Sequence, residues 1–365
     1  MNRRNFIKST TGTIAALSIP EILNKTLNEP YQANEKFPRY KGFNLTQKMG
    51  GPRRKFEEED FEIMAGWGFD FARIPMSYWA WSSKDDWYKI DEDVMKDIDE
   101  AVELGKQYNI HINLNFHRVP GYCINGRNLE PYDLFDDTQE NMQKALDASV
   151  YHWKYFAERY KGIPNGRLSF DLINEPPKKT NVPRYIEIIR SLVDGIKEED
   201  PERLIIADGI EIGRYPILGI GNLVPVQSTR GYDPMSVSHY TATWVPKDEF
   251  ETFNFPTWPI RGDNGKLWDK SALKEKLIDS WKTLTDQGVQ VHVGEWGCFN
   301  KTPHDVTLRW MEDILSLWKD AGWGYAMWNL KGTFGVLNSE REDVVYENYN
   351  NHKLDRKMLE LLKEY

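Results

Sequence analysis

Cysteine is nearly absent from this chain, which has only Cys123 and Cys298 among its 365 residues. Two cysteines cannot build the disulfide framework that stabilises many small secreted domains. The sequence contains neither a C-x-x-C motif nor a Cys/His cluster that would indicate a metal site. The sequence therefore predicts no disulfide and no bound metal, and its length is enough to bury a large apolar core.

An excess of positive charge is also missing, because the net charge is −9. An acidic chain without a basic stripe argues against nucleic acid or an anionic membrane surface as a partner. No apolar run reaches the roughly 20 residues that a membrane-spanning helix needs. Aromatic residues, in contrast, are abundant, with 14 Trp and 13% aromatics in all. Composition leaves open whether these rings pack in a core or form platforms that stack on sugars.

The N-terminal segment predicts export. Residues 2–8, Asn-Arg-Arg-Asn-Phe-Ile-Lys, resemble the twin-arginine signal, and the mildly apolar run 12–19 after them is too short to span a bilayer. That route exports folded proteins, which fits the low cysteine count. We assign residues 1–35 to a signal peptide and linker, with cleavage between residues 18 and 32, and predict a periplasmic, cell-surface or secreted protein.

Short apolar runs alternate with amphipathic stretches from residue 40 onward. The candidate strands are residues 41–45, 69–74, 110–116, 167–173, 203–207, 235–240, 289–294 and 324–329. Helical patterns cover residues 91–108, 141–160, 183–199, 271–287, 305–319 and 353–362. Eight candidate strands that alternate with helical stretches predict an α/β fold, a single (β/α)8 (TIM) barrel over residues 36–365, with a short fifth helix in the Gly- and Pro-rich stretch 209–234.

Two of the predicted strands end on a glutamate. The apolar run 168–173 is followed by Asn174, Glu175 and Pro176, and the proline prevents the strand from continuing. The run that begins at Val291 leads to Glu295. Because the C-terminal ends of barrel strands meet at one mouth, we expect the two glutamates to lie together there. Such a pair suits glycosidic bond cleavage, which needs a proton on the leaving oxygen and negative charge near the oxocarbenium ion.

Further polar and aromatic residues fall at the predicted mouth. In chain order they are Arg73, His117, Asn174, His239, Tyr240 and Trp328. We expect Arg73 to keep one glutamate ionised, while burial and the like charge raise the pKa of the other. Asn174, adjacent to Glu175, is placed to donate a hydrogen bond to a sugar 2-hydroxyl.

Six short pieces of the chain, taken in order, resemble glycoside hydrolase family 5, the cellulase-type family of (β/α)8 barrels. They are Gly42-Phe43-Asn44-Leu45, Ala72-Arg73-Ile74-Pro75, residues 115–121, Leu172-Ile173-Asn174-Glu175-Pro176, Gly294-Glu295-Trp296-Gly297 and Met327-Trp328-Asn329-Leu330. Each piece alone is weak, but their common order and spacing are specific. The resemblance implies a retaining mechanism with Glu175 as acid/base, Glu295 as nucleophile and their carboxyls about 5–5.5 Å apart.

The resemblance also implies roles for the neighbours. Arg73 resembles the arginine that orients the nucleophile, and His117 and Asn174 resemble the sugar-binding residues. Trp328 resembles the aromatic platform below the reactive sugar. A His-x-Tyr pair is expected on strand 6, but here His239 and Tyr240 are adjacent. Since adjacent strand residues point to opposite faces, only one of them can take the substrate-binding role, and the sequence leaves the choice open.

The sequence therefore predicts an exported, retaining glycoside hydrolase that cleaves O-glycosidic bonds in a β-linked glycan, such as a β-glucan, without metal or organic cofactor. Its expected partner is a β-linked oligosaccharide or polysaccharide. Two alternatives stay open: a β-mannanase of the same family and a catalytically silent carbohydrate-binding barrel. The Trp-rich loops are expected either to wall the sugar subsites or to pack on the barrel flank; they carry Trp79, Trp81, Trp87, Trp244 and Trp258.

Overall fold

The computed structural model describes residues 37–50, 54–125, 129–135 and 139–365. The predicted twin-arginine signal and linker, residues 1–35, lie outside the described residues. Within the described part of the chain, no helix combines the length and the apolar character that a membrane crossing requires.

Eight parallel strands close into a barrel, which confirms the predicted fold. They are β1 (Lys41–Asn44), β2 (Phe71–Ser77), β3 (His111–Val119), β4 (Leu168–Asp171), β5 (Ile205–Asp208), β6 (Val226–Gly231), β7 (Gln290–Trp296) and β8 (Gly324–Met327). Each strand pairs with the next one along the chain, and β8 pairs with β1. Closure brings the eight C-terminal strand ends to one mouth.

Helices alternate with the strands and bury an apolar face. The longer ones are Glu58–Trp67, Glu92–Gln107, Gln139–Arg159, Val182–Glu199, Lys270–Leu277, His304–Ala321 and Arg356–Glu364. Several begin at a residue whose side chain satisfies free backbone N–H groups: Asp91 accepts from Val94, and Asn181 accepts from Arg184. The fifth helix is a single turn, Ile210–Gly213, and is as short as its Gly- and Pro-rich sequence predicts.

Short antiparallel strands extend the loops. Tyr122–Cys123 folds back on the end of β3. A hairpin in the long loop after β6 pairs Ile260–Arg261 with Leu267–Trp268, and another after β8 pairs Glu347–Tyr349 with His352–Leu354. These additions lie in loops and leave the barrel strands unchanged.

The inside of the barrel changes from aromatic to charged along the strands. Near the N-terminal strand ends, the ring of Phe71 lies 5.4 Å from that of His111 and 4.5 Å from that of His292. Two residues further along β2, Arg73 is fully buried and pairs with Asp171 of β4 at 3.0 Å. Burying charged side chains costs free energy even when they are paired. We therefore interpret the charged layer around Arg73 and Asp171 as part of a functional site and not as part of the apolar core.

The prediction of strand 6 at residues 235–240 is wrong. That segment contains a helical turn, Met235–Ser238, and the strand is Val226–Gly231 within the Gly- and Pro-rich stretch. The strand reads Val-Gln-Ser-Thr-Arg-Gly and is buried throughout. Ser228 and Arg230 bond to each other, whereas Gln227 bonds to the backbone of Ile217 and Thr229 to the carbonyl oxygen of Gly213 on the opposite face. An apolar-run criterion misses such a strand. The predicted helix 271–287 is likewise broken after Leu277 by a 3₁₀ turn, Asp279–Trp281.

The Trp-rich loops fold largely inward. Trp81 and Trp87 in the loop after β2 are buried, and so is Trp258 in the loop after β6. Trp79 is half-buried. Of these five, Trp244 is the one that is largely exposed, and its ring stays free to contact a ligand.

Both cysteines are buried and free, as predicted. The Cys298 thiol contacts the carbonyl oxygen of Val237 and the hydroxyl of Thr307, each at 3.3 Å. The Cys298 thiol therefore serves as a buried packing group.

Candidate active site

Glu175 lies just beyond the end of β4, and its backbone is held from both sides. Its N–H donates to Oδ2 of Asp208 at 2.7 Å, and its carbonyl oxygen accepts a bond of 2.6 Å from the Tyr122 hydroxyl. Its φ is +47°, in the left-handed region that residues with side chains adopt rarely. The two bonds stabilise this conformation and thereby set the direction of the Glu175 side chain.

Glu295 lies on β7, after a bulge in the pairing of β7 with β6. Bulges beside active sites re-aim a side chain. Its Oε1 accepts a bond of 2.6 Å from Nη1 of Arg73, and its Oε2 lies 3.3 Å from the hydroxyl of Tyr232. Nδ1 of His117 lies 3.8 Å from Oε1. The donors around this buried carboxyl favour its ionised form.

A second buried arginine contacts both glutamates. Nε of Arg230 donates to Oε1 of Glu175 at 3.0 Å, and its Nη2 lies 3.7 Å from Oε1 of Glu295. The same guanidinium is paired with both carboxylate oxygens of Asp208. Because one guanidinium reaches both glutamates, their carboxyls are held close together.

The surroundings give the two glutamates different protonation. Burial, and after it the charge of Glu295, raises the pKa of Glu175 to about 7. Burial acts in the same direction on Glu295, but Arg230 and Arg73 outweigh it and hold the pKa of Glu295 below its usual value. Near neutral pH, Glu175 therefore carries a proton in a large share of the molecules while Glu295 is ionised. This division suits one proton donor and one nucleophile.

The side-chain amide of Asn174 has a defined orientation. Its Oδ1 accepts a bond of 2.9 Å from Nη2 of Arg73 and one of 2.8 Å from Nη2 of Arg230. Arginine only donates, so the oxygen must be the atom that faces both guanidinium groups. The amide nitrogen is buried and has no partner among the described residues. An unpaired buried donor is costly, so this nitrogen is suited to a hydroxyl of a bound ligand.

His117 and Trp328 form a stacked pair at the mouth. Their ring centroids are 5.7 Å apart and the ring planes differ by 24°. Burial lowers the pKa of His117 to about 4, so the ring is neutral at neutral pH. Trp328 directly follows β8 and is only half-buried, which suits a ring that a sugar covers.

The structure corrects the predicted strand-6 residues. His239 and Tyr240 follow a helical turn, and the ring of His239 lies 4.9 Å from that of Tyr232. The hydroxyl next to Glu295 belongs to Tyr232, not to Tyr240. The expected His-x-Tyr pair therefore corresponds to Arg230, on β6, and Tyr232, directly after it. Arginine stands where the resemblance leads one to expect histidine.

Sequence reasoning missed five residues of this site: Asn44, whose Oδ1 accepts a bond of 3.0 Å from Nη1 of Arg73, and Asp171, Asp208, Arg230 and Tyr232. The first three are the last residues of β1, β4 and β5. The criterion that singled out Glu175 would have found Asp208, which directly follows the predicted strand 203–207, but not Asn44 or Asp171, which lie inside predicted strands. Arg230 and Tyr232 were missed because strand 6 was placed too late in the chain.

The long loop after β6 exposes three aromatic rings: Trp244 is 58% exposed, Phe253 63% and Phe255 68%. The ring of Trp244 contacts that of Phe299 at 4.9 Å and lies 6.3 Å from that of His239. His239 in turn contacts the tyrosine beside Glu295. Exposed apolar rings in one loop are typical of a binding surface, so this loop extends the candidate site.

Sequence comparisons identify relatives along most of the chain. The family model described as cellulase (glycosyl hydrolase family 5) matches residues 31–333. Endoglucanase C of Acetivibrio thermocellus is 26% identical over 315 residues, which cover 80% of this chain and 89% of that relative. Cellodextrinase A of Ruminococcus flavefaciens is 23% identical over 274 residues, covering 73% of this chain and 76% of that relative.

Solved structures show the same architecture. A crystal structure of a glycoside hydrolase matches with a TM-score of 0.82 and 38% identity, covering 89% of this chain and 99% of the other. Thermotoga maritima Cel5A, solved in complex with mannotriose, matches with a TM-score of 0.70 and 20% identity, covering 89% and 97%. The chain belongs to the cellulase family, glycosyl hydrolase family 5, and is a glycosidase that hydrolyses O-glycosyl bonds in β-glycans.

Proposed function

We propose that this glycosidase cleaves a β-linked glucan by retaining double displacement, with Glu175 as the acid/base and Glu295 as the nucleophile. The observation that carries the proposal is the contrast between the two carboxyls. Glu295 accepts a bond of 2.6 Å from Arg73 and is held ionised, whereas burial raises the pKa of Glu175 to about 7. A retaining mechanism needs one carboxyl of each kind.

The first step transfers the proton of Glu175 to the glycosidic oxygen. The bond between that oxygen and the anomeric carbon breaks while a carboxylate oxygen of Glu295 bonds to the same carbon. Formation of the ester removes the negative charge of Glu295. In the free enzyme, that charge together with burial raises the pKa of Glu175. Glu175, now a carboxylate, then takes a proton from water as the water oxygen bonds to the anomeric carbon and the ester breaks. Both glutamates return to their starting states.

Three further residues fit the reacting sugar. The unpaired amide nitrogen of Asn174 is suited to its 2-hydroxyl, a contact that strengthens in the transition state. The neutral ring of His117 and the half-buried ring of Trp328 provide a polar and an apolar contact at the same mouth. These contacts support a carbohydrate ligand without selecting one sugar.

A glucose-based substrate is supported by the relatives, which are named endoglucanase and cellodextrinase. A β-mannan is the second substrate to test, because a protein of the same fold is solved with mannotriose as well as with cellobiose. A panel of soluble β-glucans and β-mannans with analysis of product lengths decides between them. It also distinguishes cleavage within a chain from cleavage at its ends.

The mechanism is tested by variants of the two glutamates. We expect Glu295→Gln to lose turnover, and Glu175→Ala to retain activity only on aryl glycosides with good leaving groups. External azide should restore Glu175→Ala and give a β-glycosyl azide, and ¹H NMR should show the β-anomer as the first product. Glu251→Gln is the matched control, because Glu251 accepts a backbone N–H from Ser236 and is not one of the two glutamates. An inverted first product, or full activity of Glu295→Gln, would contradict the mechanism.

Export is a separate proposal. We propose that residues 1–35 direct the protein through the twin-arginine route to the periplasm, the cell surface or the medium, and that residues 36–365 form the catalytic domain. The basis is the Asn-Arg-Arg-Asn-Phe-Ile-Lys sequence of residues 2–8 together with the two free thiols, since a protein exported after folding needs no disulfide.

A further inference from the structure

Arg230 is placed beside Glu295 by the strand register. The two residues are Cα partners in the parallel pairing of β6 and β7. Arg230 is 3% exposed, and two of its bonds lead to site residues: Nε donates to Glu175 and Nη2 to Asn174. Asp208 accepts bonds from both of its Nη atoms. A buried guanidinium with so many directed bonds has one position and one orientation.

The backbone opposite Arg230 leaves room for its guanidinium. A Cβ added at Gly294 would lie 3.0 Å from Nη1 of Arg230, 3.5 Å from Nε of Arg73 and 2.4 Å from Oγ of Ser228. Glycine therefore allows the chain of β7 to approach both arginines closely. The position of Arg230 thus depends on a backbone that any other residue at 294 would disturb.

Arg230 binds only one of the two carboxyl oxygens of Glu175. Oε1 accepts the Nε–H bond of 3.0 Å, whereas Oε2 accepts no hydrogen bond from the described residues. The Glu175 side chain is still 13% exposed. An oxygen that already accepts a bond from a cation is the poorer site for a proton, because the cation favours its charged form. The proton of the neutral acid therefore belongs on Oε2.

We propose that Arg230 is a positioning residue of the glycosidase reaction: it fixes Glu175 through Oε1, so that Oε2 is the oxygen that gives the proton to the glycosidic oxygen and later takes one from water. The inference rests on the proposed function. Asp208 completes the arrangement, because it binds both the guanidinium of Arg230 and the backbone N–H of Glu175. The side chain and the backbone of the acid/base are thereby tied to one buried ion pair.

Two variants separate the geometry of Arg230 from its charge. Arg230→Lys keeps a positive charge but loses the planar fork that binds several acceptors in fixed directions. The double variant Arg230→Gln with Asp208→Asn removes both members of the ion pair, so Asp208 is not left as a buried charge without its partner. Oδ1 of Asn174 still has a donor in Arg73 in both variants, which keeps the amide turned with its nitrogen towards the sugar after the bond from Arg230 is lost.

Arg203→Lys is the matched control. Arg203 is also a buried arginine with an aspartate partner, Asp200, at 2.7 Å, and it also donates to backbone carbonyls. It precedes β5, at the end of the barrel opposite the mouth. Arg203→Lys therefore measures how much kcat/KM changes when a buried guanidinium away from the site is lost.

The measurement is kcat/KM for a series of aryl β-glycosides whose leaving groups range from dinitrophenol to phenol. Dinitrophenol departs without a proton, and phenol requires one. For Arg230→Lys we expect a loss of about 100-fold on the phenyl glycoside and of less than about threefold on the dinitrophenyl glycoside. The double variant should show the same pattern at neutral pH. Its alkaline limb should move to higher pH, because the Arg230 charge has more effect on Glu175 than that of Asp208, and its acid limb should also move up, because Arg230 lowers the pKa of Glu295. Arg203→Lys should change both substrates by the same small factor.

Equal losses on both leaving groups, or none, in a folded Arg230→Lys enzyme would overturn the proposal. Thermal melts establish folding, and if Arg230→Lys does not fold, the double variant decides by the same comparison. If the wild-type protein cleaves no β-glycoside, the proposed function fails instead. In that case a ¹³C NMR titration of Glu175 still tests whether Arg230 holds this carboxyl, since an unchanged titration in both variants contradicts the contact.

Discussion

Nη1 of Arg73 lies 2.6 Å from Oε1 of Glu295, so a side chain of β2 contacts a carboxylate of β7 across the barrel. Both side chains are buried. At that distance in a poorly hydrated site, the guanidinium strongly favours the charged carboxylate. Because the contact lowers the pKa of Glu295, it affects how the activity of the enzyme depends on pH.

The first prediction is a bell-shaped pH profile of kcat/KM on an aryl β-glycoside. Glu175 must be protonated, and its pKa is raised to about 7, so activity should fall as the pH rises through about 7. Glu295 must be ionised, and its pKa is lowered, so the acid limb should lie below the usual glutamate value of about 4.3. Preincubation at each pH followed by assay at neutral pH controls for unfolding. An alkaline limb near 4 to 5 would contradict this assignment.

The second prediction concerns Arg73→Gln. Loss of the charge should raise the pKa of Glu295 and move the acid limb up by about 1–3 pH units, with a loss of kcat/KM at neutral pH. Asp171, the other ionic partner of Arg73, can take up a proton, because burial already raises its pKa to about 7. Arg73→Lys is the control that keeps the charge. The same acid limb in both variants would show that charge is not what Arg73 contributes.

The third prediction concerns stability at Gly231, the last residue of β6. A Cβ there would lie 2.5 Å from the Trp318 ring and 2.8 Å from Cβ of Trp296. Gly231→Ala should therefore destabilise the fold by about 1–3 kcal/mol through overpacking, measured by chemical denaturation. Gly166→Ala is the control, since no atom lies within 4 Å of its added Cβ. Equal stability of the two variants would mean that the two Trp rings move aside freely.

The fourth prediction concerns the exposed ring of Trp244. If the loop after β6 binds sugar units beyond the reacting one, Trp244→Ala should raise KM for long oligosaccharides by roughly 3- to 10-fold, the loss of one stacked ring. KM for an aryl monosaccharide should not change. Trp244→Phe keeps a flat ring and should behave closer to the wild-type enzyme. An equal effect on short and long substrates would assign Trp244 a structural role instead.

The fifth prediction concerns export. Replacing both Arg3 and Arg4 by Lys should retain the full-length precursor inside the cell, detected by cell fractionation and immunoblotting. Lys8→Gln, outside the arginine pair, is the control. Undiminished export of the double variant would exclude the twin-arginine route.

The alternation of apolar and amphipathic segments was sufficient to predict the barrel, because strands buried on both faces and helices with one buried face leave different periodicities in the sequence. The same logic placed Glu175 and Glu295 at the mouth, since a strand that ends on a carboxylate presents it there. Strand 6 was not recognised because Gln227, Ser228, Thr229 and Arg230 make it polar on both faces, so it leaves no apolar run in the sequence.

The residues of this chain by themselves determined the fold and the pair of glutamates, since both depend on patterns within single segments. The tertiary structure alone decided which cations surround each carboxyl. Arg230 reaches Glu175 and Glu295 only because the register of β6 against β7 and the absence of a side chain at Gly294 bring it there. Register and close approach are relations between distant segments, and through them Arg230 acts on the pKa of Glu175 against the larger effects of burial and the charge of Glu295.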